Sequence, residues 1–364
     1  MAEAFALGEL VVPGIYVQVR AEGLIGAPAV STGNIGVVGT ASTGTGRTLL
    51  LSEYREGPAA FGDYDTYAEG AGTLNLVRAL EVAYRNGAGV VFARAVAAGA
   101  GPTDFSAAFE ELVKDDVNIL IAPELSTEDA LSVLGPVLET AENNGQDLMA
   151  VVGSDVDPLA DDDFMTSIAG QVPTDDRIVF TTPGFAATDA TTGTQVELSG
   201  RYSAAAVAGL LSTLAVQSSP TNKSLPGVVR LAYRYSYGQT QQLINDRVLV
   251  LEQRGGVRVV RGITTDDGAF RQVTVRRIVD YAKAGIRGVG RPFIGRLNNQ
   301  RVRKALQGAI DGFLASMLAD EALTSYELAV TATRRDEIEG RAIVNVVLQP
   351  TFSIDFIAVT LVLE

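Results

Sequence analysis

Between residues 34 and 182, short runs of consecutive apolar residues alternate with longer stretches in which apolar residues recur every three to four positions. The runs at 35–39 and 90–96 are apolar on both alternating faces, which predicts strands that are covered on both sides. The stretch at 127–143 has the apolar spacing of a helix. Strands buried on both faces and connected by helices form a mostly parallel sheet. The sequence therefore predicts an α/β domain, to which we assign residues 26–222.

The pattern changes after a proline-bounded segment at residues 220–226. Short strands such as 257–260 then alternate with glycine-rich turns, and helical stretches follow at about 273–284 and 299–320. This mixture is typical of an α+β domain, which we assign to residues 223–350.

The chain contains no cysteine, histidine or tryptophan. Without cysteine there are no disulfides and no thiolate nucleophiles, and without histidine there is no imidazole base and no serine-protease triad. Zinc and iron–sulfur sites lose their usual ligands as well. We therefore expect no metal, no cofactor and no catalysis, although an enzyme built on carboxylates, lysine, tyrosine or serine stays an alternative.

The formal net charge of −14 is distributed in two opposed blocks. Residues 101–200 contain 20 acidic residues against Lys114 and Arg177, whereas residues 226–310 contain 16 basic residues against 5 acidic ones. This segregation has two interpretations of about equal weight: two solvated surfaces, or a basic face that binds a partner of opposite charge. Nucleic acid is disfavoured as that partner because the isoelectric point is near 4.6. The basic block also lacks interleaved aromatic residues on which bases would stack.

Three basic residues, Arg301, Arg303 and Lys304, lie in the first turns of the helical stretch at 299–320. The helix dipole disfavours positive charge there by about 0.3–1 kcal/mol per residue. Either solvent screens these charges at almost no cost, or an acidic surface outside the chain binds them.

A glycine-rich segment at residues 39–48 follows a predicted strand and is similar to a phosphate-binding loop. A P-loop would require glycine at Ala41 and lysine at Arg47. The aspartates at 155–163 are likewise unlike a calcium loop, because its glycine and its distal glutamate are missing. We interpret both segments as surface loops.

Both ends of the chain are apolar and β-forming, unlike the polar tails that close most domains. Among the apolar positions of the two end segments, 1–25 and 351–364, the candidates for inter-subunit contact are Val11, Val12, Ile15, Tyr16, Val17, Phe352, Ile354, Phe356, Ile357, Val359, Leu361 and Leu363. Such strands promote aggregation when they are left unpaired in water. Each either closes the chain's own sheet or is donated to a neighbouring subunit, where main-chain hydrogen bonds supply affinity. Donation by a subunit that also accepts a strand leads to rings or helical arrays.

The order of segments along nearly the whole chain resembles that of contractile tail sheath proteins. The similarity begins with Pro13-Gly14-Ile15-Tyr16-Val17 and Gly36-Val37-Val38-Gly39-Thr40-Ala41. It continues, in the family's order, with Phe61-Gly62, Asn86-Gly87, Ile121-Ala122-Pro123, Ser219-Pro220-Thr221-Asn222, Leu225-Pro226-Gly227 and Val347-Leu348-Gln349-Pro350. No single motif is specific, but their order and spacing together are typical of the family.

The resemblance implies a structural subunit that polymerises as stacked six-membered rings around an inner tube, in phage tails, bacteriocins or extracellular injection systems. Its α/β domain would have the subtilisin-like fold without proteolysis, and its N- and C-terminal β-arms would add strands to neighbouring subunits. The implied partners are further copies of the chain, the inner tube protein, and baseplate and terminator or cap proteins, with no nucleic acid and no membrane insertion. Assembly would occur in the bacterial cytoplasm, and the product would be a virion tail or a phage-tail-like particle.

The family's tube-facing region lies in the C-terminal domain. Carried onto this sequence, the candidates for tube contact are Arg296, Arg301, Arg303 and Lys304, and the acidic residues within 101–190 would face outward. Another self-assembling tail or shell protein is the main alternative, and a nucleotide- or carboxylate-dependent α/β enzyme is the lesser one.

Overall fold

The computed structural model describes residues 30–62, 76–189 and 192–362. The expected N-terminal arm, with Val11, Val12, Ile15, Tyr16 and Val17, lies outside the described residues, as does Leu363.

The first part of the described chain alternates strands with helices, as the apolar pattern predicts. Its elements are β1 (Ile35–Thr40), β2 (Thr48–Leu51), α1 (Glu56–Phe61), α2 (Leu76–Arg85), β3 (Val91–Val96), α3 (Pro102–Leu112), β4 (Ile119–Ile121), α4 (Thr127–Asn143), β5 (Met149–Gly153), α5 (Phe164–Gln171), β6 (Ile178–Thr182), β7 (Phe185–Thr188), β8 (Gln195–Leu198) and α6 (Ser203–Thr213). The elements that follow are β9 (Arg230–Leu231), α7 (Tyr237–Asn245), β10 (Leu249–Gln253), β11 (Val257–Val259), α8 (Val273–Gly290), α9 (Gln300–Ala319), β12 (Leu323–Thr331), α10 (Arg334–Ile338) and β13 (Ile343–Pro350).

An eight-stranded sheet forms the centre of the fold, in the order β11-β10-β6-β5-β4-β1-β3-β2. The six inner strands from β10 to β3 are parallel, and only the outer strands β2 and β11 run antiparallel to their neighbours. This confirms the mixed α/β architecture. Because β10 and β11 come from residues 249–259, the sheet extends past the boundary that the sequence suggested at 222–223.

Helices cover both faces of this sheet. One face packs against α2 and α6, and the other against α3 and α4. The sequence predicts that α6 continues to residue 217, but the helix ends at Thr213. There the guanidinium of Arg277 donates to the carbonyl oxygens of Leu214 and Ala215, at 2.9 and 3.4 Å. A cation at these carbonyls satisfies acceptors that a helix end leaves without partners.

The C-terminal region, residues 273–350, combines helices α8, α9 and α10 with the two-stranded sheet of β12 and β13. Helix α8 packs against α9, and their side chains form a separate core. At Gly285 of α8, an added Cβ atom would lie only 1.9 Å from Cζ of Phe313 on α9. A side chain at residue 285 would therefore collide with the ring.

A cluster of charged side chains ties α8 to the central sheet. Arg177, at the start of β6, is almost completely buried and donates to Glu142 at 2.6 Å. Its guanidinium also lies 3.3 Å from both Asp147 and Asp280, the latter on α8. The hydrogen bond from Arg177, together with one from Lys283, lowers the pKa of Glu142 to about 2. Removing one partner from such a buried cluster leaves an uncompensated charge.

The same cluster neutralises much of the basic block inside the chain. On α8, Arg276 lies 2.8 Å from Asp176, and Lys283 lies 2.5 Å from Asp147. Arg287 also forms an ion pair with Asp147. Of the two interpretations of this block, an external acidic partner is not required for these three cations, because the chain itself supplies their carboxylates. Part of the acidic block likewise faces α8 and not outward.

Candidate functional site

Strands β12 and β13 form an antiparallel sheet on the surface of the C-terminal region. Tyr326 is paired with Leu348, and Leu328 with Val346. One face of this sheet is apolar and packs against α8 and α9. The opposite face is exposed, as the alternating burial along both strands shows.

Among the described residues, no strand lies along either outer edge of this sheet. Within the described residues, β12 pairs with β13 and with no further strand. A two-stranded sheet has marginal stability by itself, and its unpaired N–H and C=O groups can accept another strand. The sheet is therefore a candidate acceptor, which the sequence analysis did not identify. Alternation of apolar residues along 343–350 was the signal for it.

The chain continues from β13 into the apolar C-terminal segment, and residues 351–362 form no strand. Its large side chains are between 62% and 87% exposed, and they are Phe352, Ile354, Phe356, Ile357, Val359, Leu361 and Val362. Within the described residues, this segment does not close the chain's own sheet. Apolar area of this extent on a monomer marks an interaction surface.

The beginning of this segment is nevertheless held against the body of the chain. The amide of Thr351 donates to the carbonyl of Ala322 at 3.0 Å. Further along, the Asp355 carboxylate, 5% exposed, accepts from Arg261 Nε at 2.8 Å and from Gln272 Nε2 at 3.2 Å. The guanidinium of Arg261 also lies over the ring of Phe356, at 5.1 Å from its centroid. The unattached part of the arm therefore begins near Phe356.

The basic residues proposed for tube contact lie at the N-terminal end of α9 and in the loop before it. Asn299 caps this helix by accepting from the amide of Val302 at 3.0 Å. Arg301 and Lys304 are exposed, and neither forms a salt bridge with any described residue. Arg296 donates to the carbonyl of Pro292 at 3.0 Å.

Arg303 has a different environment from its neighbours. It donates to Asn298 at 2.8 Å and to Glu337 of α10 at 3.0 Å. Hydrogen bonds from Arg334 and from Arg303 lower the pKa of Glu337. Arg303 thus braces α9 against α10, whereas Arg301 and Lys304 stay available to a partner.

Exposed apolar side chains accompany these cations. Ile294 and Leu297, in the loop before α9, are 82% and 78% exposed, and Ile338 of α10 is 74% exposed. These exposed apolar residues were not predictable as part of a contact surface, because isolated apolar residues in a polar loop have no periodicity.

The carboxyl ends of the parallel strands, where many α/β proteins bind ligands, are occupied by the chain's own groups. The carboxylate of Glu124, after β4, accepts from the amide and the hydroxyl of Thr40 at the end of β1, both at 2.8 Å. The negative charge of Glu124 therefore lies where a bound phosphate would accept hydrogen bonds from the loop that follows β1. The aspartates at 155–163 accept local backbone amides, for example Leu159 N on Asp157 at 2.9 Å. No cluster suited to a metal ion occurs among the described residues.

None of the helices in the described ranges combines the length and apolarity needed to cross a membrane.

A covered parallel sheet, an α+β region and an exposed apolar segment beside a two-stranded sheet together define a self-assembling structural subunit. Two family models match the chain: the phage tail sheath central domain over residues 98–265 and the phage tail sheath C-terminal domain over residues 265–364. The chain belongs to the phage tail sheath family. A search of curated protein sequences gives no match.

Solved structures of sheath proteins share the fold. A chain of the anti-feeding prophage baseplate aligns with a TM-score of 0.76 at 18% identity, over 97% of this chain and 99% of its own length. The contracted sheath of an extracellular contractile injection system, a PVC sheath complex, aligns with a TM-score of 0.71 at 16% identity, over 97% and 98%. A sheath tail protein from Desulfitobacterium hafniense aligns with a TM-score of 0.65 at 15% identity, over 93% and 100%.

Proposed function

We propose that the chain polymerises as stacked six-membered rings around an inner tube, and that contraction of this sheath drives the tube through a target envelope. One observation carries the proposal: an exposed apolar arm and an open two-stranded sheet occur on the same subunit. A donor and an acceptor on one molecule form head-to-tail contacts, which propagate into rings or helices. The arms, 1–25 and 351–364, would link subunits while rigid bodies rotate during contraction.

The alternation of side chains supports a specific orientation of the donated strand. Ile357, Val359 and Leu361 lie on one face of an extended strand, and residues 358 and 360 on the other face are smaller. The acceptor sheet has one apolar face, against α8 and α9. We infer that the three aliphatic side chains extend that face in the neighbouring subunit.

Replacing Ile357, Val359 and Leu361 together by serine tests this orientation. Burial of an aliphatic side chain contributes about 1.5–3 kcal/mol, so the triple variant should lose about 5 kcal/mol per contact and fail to polymerise. The control variant replaces Ala358, Thr360 and Val362 by serine and should still assemble. Sedimentation velocity measures both, and equal loss of assembly in the two variants contradicts the proposed orientation.

The contact with the inner tube is the second element of the proposal. The exposed cations Arg301 and Lys304, together with Arg296, are suited to an acidic tube surface, and Ile294 and Leu297 add apolar contact area. Arg303 would contribute indirectly, because its hydrogen bonds to Asn298 and Glu337 hold α9 against α10.

The further partners are proposed from the family resemblance. They are the baseplate and the terminator or cap proteins, with assembly in the bacterial cytoplasm into a virion tail or a phage-tail-like particle. The parallel sheet covered on both faces is compatible with the subtilisin-like type of α/β domain that the resemblance implies. No nucleotide is hydrolysed in this scheme, because the energy of contraction is stored in the packing between subunits.

A further inference from the structure

We propose that Asp355 is a positioning residue that prevents the C-terminal strand from pairing with its own subunit and so keeps it available for a second copy of the chain. This inference rests on the proposed function. We call Asp355, with Arg261, Gln272 and Thr221, the Asp355 clamp.

The clamp holds the arm at two alternate residues. Gln272 accepts from the amide of Ser353 at 3.0 Å and donates to its carbonyl at 3.3 Å, as one strand would do to another. The Asp355 carboxylate accepts from Arg261 at 2.8 Å and from Gln272 at 3.2 Å. Thr221 contributes a longer hydrogen bond at 3.4 Å. These partners come from the loop after α6 and from the segment between β11 and α8, outside the β12–β13 sheet.

The competing in-chain arrangement is a simple hairpin. β13 ends at Pro350, and its outer edge is unpaired in the described chain. A four-residue turn at 351–354, a common hairpin length, would bring the arm back along that edge. Ile357, Val359 and Leu361 would then lie opposite Leu348, Val346 and Val344 and would complete the apolar face of the sheet.

Apart from Asp355, the composition of the arm favours this hairpin, because its other residues from 351 to 363 are uncharged. An intramolecular strand has an effective concentration in the millimolar range, which a neighbouring subunit must exceed. The clamp removes the competition, because Ser353, one of the residues that would form the turn, and Asp355 itself are bound to Gln272 and Arg261. Asp355 is also the only charged residue between Thr351 and Leu363, and burying that charge without Arg261 would be unfavourable.

Engineered cysteines can report which pairing occurs, because the chain contains no cysteine of its own. In the hairpin above, residues 358 and 347 lie opposite each other on the exposed face, at a spacing that permits a disulfide. Ala358→Cys and Val347→Cys are introduced together, first with the clamp intact and then with Asp355→Ala. Oxidised products are separated by denaturing electrophoresis without reductant, and assemblies are counted by electron microscopy.

With the clamp intact, we expect no in-chain disulfide and abundant assemblies. With Asp355→Ala, we expect an in-chain disulfide and about tenfold fewer assemblies than with the clamp intact. The melting temperature of the α/β body should be unchanged. The double variant Asp355→Arg/Arg261→Asp restores the ion pair and should restore assembly, whereas Thr360→Ala, a control within the arm, should change neither readout.

Two results overturn the inference in distinguishable ways. If the clamp-intact protein assembles and Asp355→Ala assembles equally well without an in-chain disulfide, the clamp has no such role, and the proposed function is unaffected. If the clamp-intact protein remains monomeric, strand donation itself is wrong, and the inference is wrong with it.

Discussion

Replacing Gly285 by alanine should destabilise the protein, although alanine is the better helix former. Gly285 lies inside α8, and the added Cβ would come within 1.9 Å of Cζ of Phe313 on α9. Ordinary carbon contacts are about 3.5–4.0 Å, so the helices must separate or the ring must leave its position. Overpacking of this kind costs about 1–3 kcal/mol, while the propensity gain is at most about 1 kcal/mol. We expect a net loss of about 1–2 kcal/mol.

Gly308 provides the matched control, because it lies inside α9 and a Cβ there meets no atom within 4 Å. Gly308→Ala should therefore be neutral or stabilising by up to about 1 kcal/mol. Urea denaturation followed by circular dichroism measures both variants, and Phe313→Leu should relieve part of the Gly285→Ala defect. If Gly285→Ala stabilises the protein as much as Gly308→Ala does, α8 and α9 do not pack as described.

Three further predictions concern charged groups. Asp147→Asn removes the charge of the most buried carboxylate in the cluster, which contacts Arg177, Lys283 and Arg287, and should cost about 3 kcal/mol of unfolding free energy, measured by urea denaturation; a loss below about 0.5 kcal/mol contradicts the clustered geometry. Because the pKa of Glu142 is lowered to about 2, its contribution to stability is complete above its ordinary pKa near 4.5 and is lost as the pH falls toward 2. The difference in stability between wild type and Glu142→Gln should therefore vanish with acidification, and a difference independent of pH contradicts the ion pair. Charge reversal of Arg301 and Lys304 to glutamate should weaken binding to a tube protein more than it weakens self-assembly. The control Arg254→Glu, which changes an exposed cation between β10 and β11, should affect neither. If both variants weaken tube binding equally, the tube-facing assignment is contradicted.

Sequence alone predicted the central sheet well, because strands buried on both faces have an unmistakable apolar pattern. The runs at 35–39 and 90–96 became β1 and β3, and α4 has the predicted bounds, Thr127–Asn143. The membership of β10 and β11 in that sheet was not predictable, because pairing between residues far apart in sequence leaves no local signal.

The ion pairs were not predictable from the sequence either, because their partners are far apart along the chain. Counting along the chain revealed two opposed blocks, but it could not show that Arg276 and Lys283 find Asp176 and Asp147 within the same fold. Arg303 and Lys304 are likewise neighbours in sequence, yet only Arg303 faces Glu337. The apolar C-terminal segment was evident from sequence, whereas the attachment of Asp355 to Arg261 depends on tertiary geometry.

Electron microscopy of the purified chain, compared with a truncation that removes residues 356–364, tests the central claim most directly. The truncation keeps the Asp355 clamp and removes residues 356–364, of which the described ones, 356–362, are all exposed. We expect ordered rings or tubes from the full chain, and a folded monomer with unchanged circular dichroism from the truncated one. Ordered tubes from the truncated protein, or a full chain that stays monomeric at high concentration, would contradict assembly by exchange of the C-terminal strand.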